Sequence, residues 1–251
     1  MYNKNVIIIG NDLHIVPSVF EMFQSKANLL KENKNKLLFV GKEDSIDLIE
    51  RDLHRTFGEL CLFSKDDGPL HDHLKEILQI FACYRPELGY VQGMTYIAGI
   101  ICLFISDSYT AFSCFSNLIV SRNHLFDFFQ FNINNIQLYY TCFEEVLVEN
   151  SPQVYNKIKD LEISSNQYLF LWLQTVFLKV LPLTTACRVW DNFIYEGNSF
   201  LFKTAVAILK LFACVICNKD FFKEFTFENC IRYHTLYFNK YMSLFLIDVI
   251  E

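Results

Sequence analysis

The sequence predicts an all-α protein, and three observations favour this fold class. Chain-breaking residues are scarce, with only 8 Gly and 5 Pro in 251 residues. Apolar residues recur at intervals of three and four along extended stretches, as they do on one face of a helix. The sequence shows no alternating strand pattern of useful length, no fixed-period repeat and no linker rich in Pro, Gly or Ser. A chain of this length forms one large domain or two closely joined helical lobes.

Composition and charge exclude several classes of protein. The chain is 52% hydrophobic, with 26 Phe and 13 Tyr, which excludes a disordered protein. Its formal net charge is -6, and Lys and Arg are scattered singly, so neither a nucleic-acid partner nor an anionic membrane surface is indicated. Nine Cys at irregular spacing, without a secretory signal, indicate reduced thiols and a cytoplasmic protein.

The first clear helix is predicted from Ser45 onward. Acidic residues occupy its first turn, and its apolar positions recur at three and four residues. On a helical wheel Arg55 lies about 180° from Ile46, so the guanidinium should project away from the packed face. The apolar stripe of this helix is Ile46, Ile49, Leu53 and Phe57.

A second helix is opened by Gly68-Pro69 and ended by Arg85-Pro86. A short loop leads from there to an uncharged helix that begins at Tyr90. Because this helix is apolar on all faces, we expect it at the centre of the fold. The stripe of the second helix is Leu70, Leu74, Ile77, Leu78, Phe81 and Tyr84, and further helices are predicted over 109–121, 134–149, 165–180, 183–195, 199–217 and 228–248.

The uncharged stretch from Leu88 to Ser106 has two readings, a membrane span and a helix buried in the core. It contains three Gly, and its continuously apolar part, from Ile97 to Ile105, is far shorter than the roughly twenty residues that a bilayer requires. We therefore expect a buried helix and no transmembrane segment.

A metal site has weak support in the sequence. Cys214-Val215-Ile216-Cys217 is a lone CxxC inside an apolar helical stretch. Zinc would need a second pair of ligands, for which His71 and His73 are the other candidates. Core thiols and surface histidines explain these residues better, so we expect no metal.

Two polar groups could carry chemistry. Arg55 has a fixed planar charge, and Asp52, three residues earlier, is close enough to pair with it. Gln92 lies between Gly89 and Gly93 at the mouth of the uncharged helix, where its amide must find partners or face outward. Taken singly, Arg55 is explained by an exposed ion pair and Gln92 by a satisfied polar residue at a helix start.

Arg55 and Gln92 each lie within a longer pattern of residues, and a third pattern follows downstream. Ile49, Asp52, Arg55, Thr56 and Phe57 form the first, Gly89, Tyr90, Gln92, Gly93 and Met94 the second, and Leu181, Pro182, Arg188, Trp190, Asp191, Phe193, Glu196 and Gly197 the third. In order and in flanking residues these patterns resemble the motifs of TBC-domain Rab GTPase-activating proteins. The resemblance is strongest over residues 8–212. Segments 10–15, 83–86 and 183–188 are most similar to the family branch that contains members twelve and fourteen.

The resemblance implies that residues 1–251 form a single TBC domain. The family usually has a Gly-x-Pro and Arg-x-x-x-Trp element before the segment that residues 8–13 resemble. We expect this chain to lack that Trp-containing element, through truncation or replacement of the first helix. Gly58 stands where the family commonly has Pro, which should loosen the turn after Arg55 without moving Arg55 itself.

By the same resemblance, the chain would be an activator of GTP hydrolysis rather than an enzyme with its own substrate. Arg55 would be an arginine finger and Gln92 a glutamine finger for a GTP-bound Rab protein. Asp52 would orient Arg55, while Tyr90 and Gly93 would shape the surface beside Gln92. GTP and magnesium would belong to the Rab protein, so no cofactor is expected on this chain.

Other interpretations stay open at this point. The chain could be a Rab-binding scaffold or effector that leaves hydrolysis unchanged, or a helical interaction module without a GTPase partner. The presence of both finger residues favours the activator, which would regulate vesicle trafficking and reach endomembranes through its partners. The Trp190-Asp191 pair is better explained as a core anchor with a local hydrogen bond than as a partner contact.

Overall fold

The computed structural model describes residues 13–33, 40–65, 67–121 and 123–213. Within these ranges the chain forms eleven α-helices and no strand, so the all-α prediction is confirmed. The chain divides into two compact units, residues 1–130 and 131–251.

Six helices form the described part of the first unit: α1 (Pro17–Asn33), α2 (Ile46–Leu53), α3 (His71–Tyr84), α4 (Met94–Phe104), α5 (Ser108–Ser121) and α6 (Asn123–Gln130). The centre of this unit is α3, which packs against α1, α2, α4 and α5, while α6 packs against α5. The predicted stripe on α3 lies in the core, with Leu74, Ile77, Leu78 and Phe81 fully buried.

The uncharged helix, α4, is a core helix. Met94, Ile97 and Ala98 are fully buried, which confirms the prediction of a buried helix. At 11 residues α4 is too short to cross a bilayer, and no other helix in the described ranges combines the length and apolarity that a membrane span needs.

Five helices form the described part of the second unit: α7 (Ile133–Asn150), α8 (Pro152–Asp160), α9 (Asn166–Gln174), α10 (Leu183–Glu196) and α11 (Asn198–Leu211). Here α7 packs against α8 and α11, and α11 also packs against α9 and α10. Trp190 of α10 is buried and its indole N–H donates to the carbonyl of Val176 at 3.1 Å. The prediction that Trp190 is a core anchor is therefore confirmed.

Most predicted helices are present, with corrected ends. The bounds of α5, α7 and α10 agree with the predicted segments to within one residue, whereas α1, α6 and α8 fall outside them. The predicted segment 165–180 is too long, because Val176 and Phe177 have left-handed backbones with φ of 48° and 61°. The predicted helix over 228–248, and the end of the one over 199–217, lie outside the described residues.

Candidate functional site

Arg55 lies in a turn that follows α2. The helix ends at Leu53, and the backbone of Phe57 is left-handed, with φ of 47°, which a right-handed helix excludes. The predicted helix through Phe57 is therefore wrong in its last turn. Thr56 closes the turn, because its N–H donates to the Leu53 carbonyl at 3.0 Å and its hydroxyl donates to the Asp52 carbonyl at 2.8 Å.

This turn packs against α4. Thr56 is buried, and the rings of Phe57 and Tyr96 meet edge to face with their centroids 5.4 Å apart. A Cβ atom on Gly99 would lie 3.2 Å from Phe57 and 3.3 Å from Thr56, so the turn and the helix are in close contact. The Tyr96 hydroxyl also donates to the carbonyl of Arg55 at 3.2 Å. The backbone that carries Arg55 is thus held by α4.

The guanidinium of Arg55 faces solvent, while its partner is buried. The Arg55 side chain is 54% exposed and the Asp52 side chain only 8%. Nη2 of Arg55 donates to Oδ1 of Asp52, so the expected pair at a spacing of three is present. This hydrogen bond raises the pKa of Arg55, which keeps the group cationic. Since a guanidinium carries five N–H donors, Arg55 retains donors for a second ligand.

Tyr90 joins this pair to the second sequence motif. Its hydroxyl donates to Oδ2 of Asp52, and its side chain is almost fully buried. Burial and the hydrogen bond to Asp52 raise the pKa of Tyr90, so the phenol stays protonated and keeps donating. One carboxylate therefore accepts from Arg55 and from Tyr90, two residues that lie in different segments of the chain.

Gln92 lies in the loop before α4 and is exposed. The predicted helix start at Tyr90 is wrong by about one turn, because Gly93 has a φ of 105° and α4 begins only at Met94. The amide of Gln92 makes no hydrogen bond with any other described residue. Of the two possibilities that the sequence leaves for this amide, the outward-facing one is observed.

The arrangement offers one fixed charge and one neutral amide to another molecule. A guanidinium can stabilise negative charge on phosphate oxygens, and it can contact two of them at once. An amide can accept a hydrogen bond from a water molecule while donating to an anionic oxygen. Both groups are exposed, and the segments that carry them are linked through the buried carboxylate of Asp52.

The histidines considered as metal ligands contact separate neighbours, and the expectation of surface histidines is wrong for His71, which is buried. His71 lies 3.3 Å from the carboxylate of Glu50, and Nε2 of His73 lies 3.0 Å from the carbonyl oxygen of Ile105. No group of three His, Cys, Asp or Glu within the described ranges could hold a metal ion, and residues 214–217 lie outside those ranges.

Ser45 and Tyr96 also support the site. No pattern in the sequence predicted a role for either residue. Ser45 stands just before α2, where a hydroxyl usually caps a helix, yet its side chain makes no capping bond. Its Oγ instead accepts from the backbone N–H of Tyr90, 45 residues away, at 2.7 Å. Contacts between such distant positions leave no local periodicity, so only correlated substitutions among homologues could have indicated them.

Comparison with known proteins places most of the chain in one family. Residues 8–217 match the Rab-GTPase-TBC domain family. The chain belongs to this family. The matched range includes both the Arg55 turn and the Gln92 loop of this TBC domain, and it agrees with the resemblance over residues 8–212.

Curated relatives refine the placement within the family. TBC1 domain family member 12 of Xenopus tropicalis is 37% identical over 226 residues, which cover 86% of this chain and 33% of that protein. TBC1 domain family member 14 of Homo sapiens is 37% identical over 229 residues, covering 86% of this chain and 32% of that protein. Drainin of Dictyostelium discoideum is 34% identical over 267 residues, which cover 90% of this chain and 59% of that protein. The predicted similarity to members twelve and fourteen is confirmed, and the chain spans about a third of the length of those two relatives.

Solved structures share the fold of this TBC domain. The Chlamydomonas flagellar RabGAP TBC domain superposes with a TM-score of 0.65 at 19% identity, covering 81% of this chain and 63% of that one. The Ypt/Rab-GAP domain of Gyp1p superposes with a TM-score of 0.66 at 16% identity, covering 87% of this chain and 73% of that one. At these identities the similarity is one of fold.

Proposed function

We propose that this TBC domain stimulates GTP hydrolysis by a Rab-family small GTPase, with Arg55 and Gln92 completing the GTPase active site in trans. The observation that carries the proposal is the buried carboxylate of Asp52, which accepts hydrogen bonds from Arg55 and from Tyr90. Through it, the turn that bears the exposed guanidinium is tied to the loop that bears the exposed amide.

The proposed chemistry needs no catalytic group beyond these two. During GTP hydrolysis, negative charge develops on the transferred phosphoryl group and on the leaving oxygen, and a water must be aligned for attack. Arg55 would stabilise the charge, and Gln92 would hold the water. GTP and magnesium would be brought by the GTP-bound Rab protein, so the chain acts as an activator and not as an enzyme on its own substrate.

The remaining predicted residues take supporting roles in this proposal. Asp52 orients the guanidinium, and the phenol of Tyr90 keeps the second carboxylate oxygen satisfied. Gly93 allows the backbone to turn into α4 directly after Gln92, since a φ of 105° is accessible to Gly at little cost. In the cell, such an activator would work from the cytoplasm on Rab proteins at endomembranes and so regulate vesicle trafficking.

The test is single-turnover GTP hydrolysis by a panel of GTP-loaded Rab proteins, with the full 251-residue chain in excess. We expect acceleration of at least one Rab, a loss of roughly 10³-fold or more for Arg55→Ala, and a loss of roughly 10²-fold for Gln92→Ala. Arg51→Ala is a matched control, because Arg51 is also exposed and stands four residues before Arg55. Gln153→Ala serves the same purpose for Gln92, since it is an exposed amide in the second unit.

Two results would contradict the proposal. If the chain binds a GTP-loaded Rab without changing its hydrolysis rate, the scaffold interpretation replaces the activator for that partner. If hydrolysis is accelerated but Arg55→Ala behaves like Arg51→Ala, the chain is an activator that works by other residues.

A further inference from the structure

A short segment before α2 clamps the loop that leads to Gln92. This segment, residues 40–45, contacts the loop of residues 85–90 near the beginning and at the end of that loop. At one end, the N–H of Lys42 donates to the carbonyl of Pro86 at 2.7 Å. At the other, the N–H of Tyr90 donates to Oγ of Ser45 at 2.7 Å.

The two segments approach each other through glycines. A Cβ atom on Gly41 would lie 2.4 Å from the carbonyl oxygen of Pro86. A Cβ atom on Gly89 would lie 2.6 Å from Oγ of Ser45 and 2.7 Å from Lys42. Side chains at either glycine would force the segments apart, so the close approach depends on both.

The hydroxyl of Ser45 uses both of its hydrogen-bonding capacities. It donates to the carbonyl of Lys42 within its own segment, and it accepts from the N–H of Tyr90 across the gap. Because the donor position is committed to Lys42, the lone pairs are directed at Tyr90. Tyr90 is then fixed twice, by its backbone to Ser45 and by its phenol to Asp52.

The 40–45 segment is itself held in place by a buried charge. Glu43 is almost fully buried and accepts from Nζ of Lys26 at 2.7 Å, from the N–H of Gly41 at 2.6 Å and from the N–H of Val40 at 3.0 Å. Lys26 belongs to α1, so this helix anchors the turn that presents Ser45. The connection therefore runs from α1 through Glu43 and Ser45 to Tyr90.

We propose that Ser45 is a positioning residue for Gln92, acting through the backbone of Tyr90 and supported by the Lys26–Glu43 pair. This inference rests on the proposed role of Gln92. Ser45 does not contact the reacting atoms, and its effect is to restrict the loop in which Gln92, two residues after Tyr90, is carried.

The first test is a double-mutant cycle in single-turnover hydrolysis with an accelerated Rab. Ser45→Ala should lower the maximal rate roughly fivefold to tenfold, the loss expected for one hydrogen bond, and leave the half-saturating concentration unchanged. In the Gln92→Ala background the same substitution should cost clearly less, because there is no amide left to position and only the contact of Tyr90 with Asp52 remains. Ser25→Ala is the matched control: this exposed hydroxyl also donates to a backbone carbonyl, but the acceptor is Glu21 within α1. Equal losses in both backgrounds would overturn the proposal.

The second test does not depend on GTPase activation. Hydrogen exchange of the full chain should show faster exchange at the amide of Tyr90 in Ser45→Ala, by roughly fivefold to tenfold, and no change there in Ser25→Ala. Unchanged exchange at Tyr90 overturns the positioning role, even if the chain proves to be an activator. If no Rab is accelerated while this exchange rises, the clamp stands and the proposed function fails.

A second variant tests the support of the 40–45 segment and leaves Ser45 itself in place. Glu43→Gln keeps the Ser45 hydroxyl but weakens the turn that presents it. It should raise Tyr90 amide exchange in the same direction, by about twofold to fivefold. If exchange at Tyr90 is unaltered in a folded Glu43→Gln protein, the proposed connection from α1 to the loop is refuted.

Discussion

Replacing Glu43 with Gln should destabilise the first unit at neutral pH. It should also make the free energy of unfolding less dependent on pH in acid. Burial alone would raise the pKa of Glu43, but hydrogen bonds from Lys26, Val40 and Gly41 outweigh burial and lower it from its ordinary 4.5 to about 2. A tenfold difference in proton affinity is worth about 1.4 kcal/mol. The ionised form of Glu43 therefore contributes about 3 kcal/mol to the free energy of unfolding at pH 7.

The sign of the pH effect follows from the direction of the pKa change. Because the pKa of Glu43 is lower in the folded than in the unfolded chain, this contribution is complete above pH 4.5. It is lost as the pH falls from 4.5 towards 2, where the folded protein also takes up the proton. Glu43→Gln should lack this acid-dependent part and lose about 2–3 kcal/mol at pH 7.

The assay is urea-induced unfolding at several pH values between 7 and 3, followed by far-UV circular dichroism. Fluorescence would report the wrong unit, since Trp172 and Trp190 are the two tryptophans of the chain and both lie in the second. Glu21→Gln is the matched control, because Glu21 is an exposed carboxylate on α1. The reasoning is refuted if Glu43→Gln and the wild type lose stability in parallel between pH 5 and pH 3.

Two further predictions concern single backbone and side-chain groups. Tyr90→Phe removes a donor to the buried Asp52 carboxylate and should cost about 2 kcal/mol in urea unfolding at pH 7. Since the pKa of Tyr90 is raised in the folded chain, the neutral phenol stabilises the fold fully below pH 10 and less so above it. The free energy of unfolding of Tyr90→Phe should therefore fall less above pH 10 than that of the wild type. An equal fall in both proteins would contradict the role given to the Tyr90 phenol. Gly197→Ala should cost about 1–3 kcal/mol, because a φ of 77° with a ψ of -151° strains any residue with a Cβ atom, although no atom lies within 4 Å of that position. Gly58→Ala is its control, with equally open space and no left-handed φ, and should change stability by less than about 0.5 kcal/mol; equal losses at Gly58 and Gly197 would refute the strain argument.

Helices with a dense apolar stripe could be predicted from the sequence, and a helix with a thin stripe could not. The buried positions of α3 repeat at three and four residues between clear breakers, so its existence and its end at Tyr84 follow from pattern alone. α1 has a usable signal in Pro17 at its start and in the spacing of Phe20, Ala27 and Leu30, which are buried. One of these three side chains is a small Ala, so the stripe is weak against the many polar residues around it.

Helix ends were less predictable, because tertiary contacts set them. Phe57, Val176 and Phe177 all adopt left-handed backbones, a conformation that sequence patterns associate with Gly or Asn. Phe57 is held there by its ring contact with Tyr96 and by the close approach of Gly99. None of these contacts is local, so they leave no mark in the sequence pattern. The apolar spacing continues to Phe57, although α2 ends at Leu53.

The candidate site was predictable to the extent that its contacts are local. The pair of Asp52 and Arg55 follows from a spacing of three residues, and it is present. The bond between Tyr90 and Asp52 spans 38 residues, and the bond between Tyr90 and Ser45 spans 45, so neither could follow from spacing. Only the order of the motifs suggested that the two segments act together.

The location of the buried groups explains how two exposed side chains can have defined positions. Arg55 and Gln92 face solvent and have little packing of their own, so their placement must come from the backbone beneath them. Asp52 is costly to bury unless both of its oxygens are satisfied, and its two donors come from the two segments. Moving either segment would leave a buried carboxylate short of a partner. The energetic cost of that movement keeps both exposed groups in register. Under the proposed function, mutations of the buried groups should therefore reduce the rate of GTP hydrolysis more than they weaken binding to the GTPase.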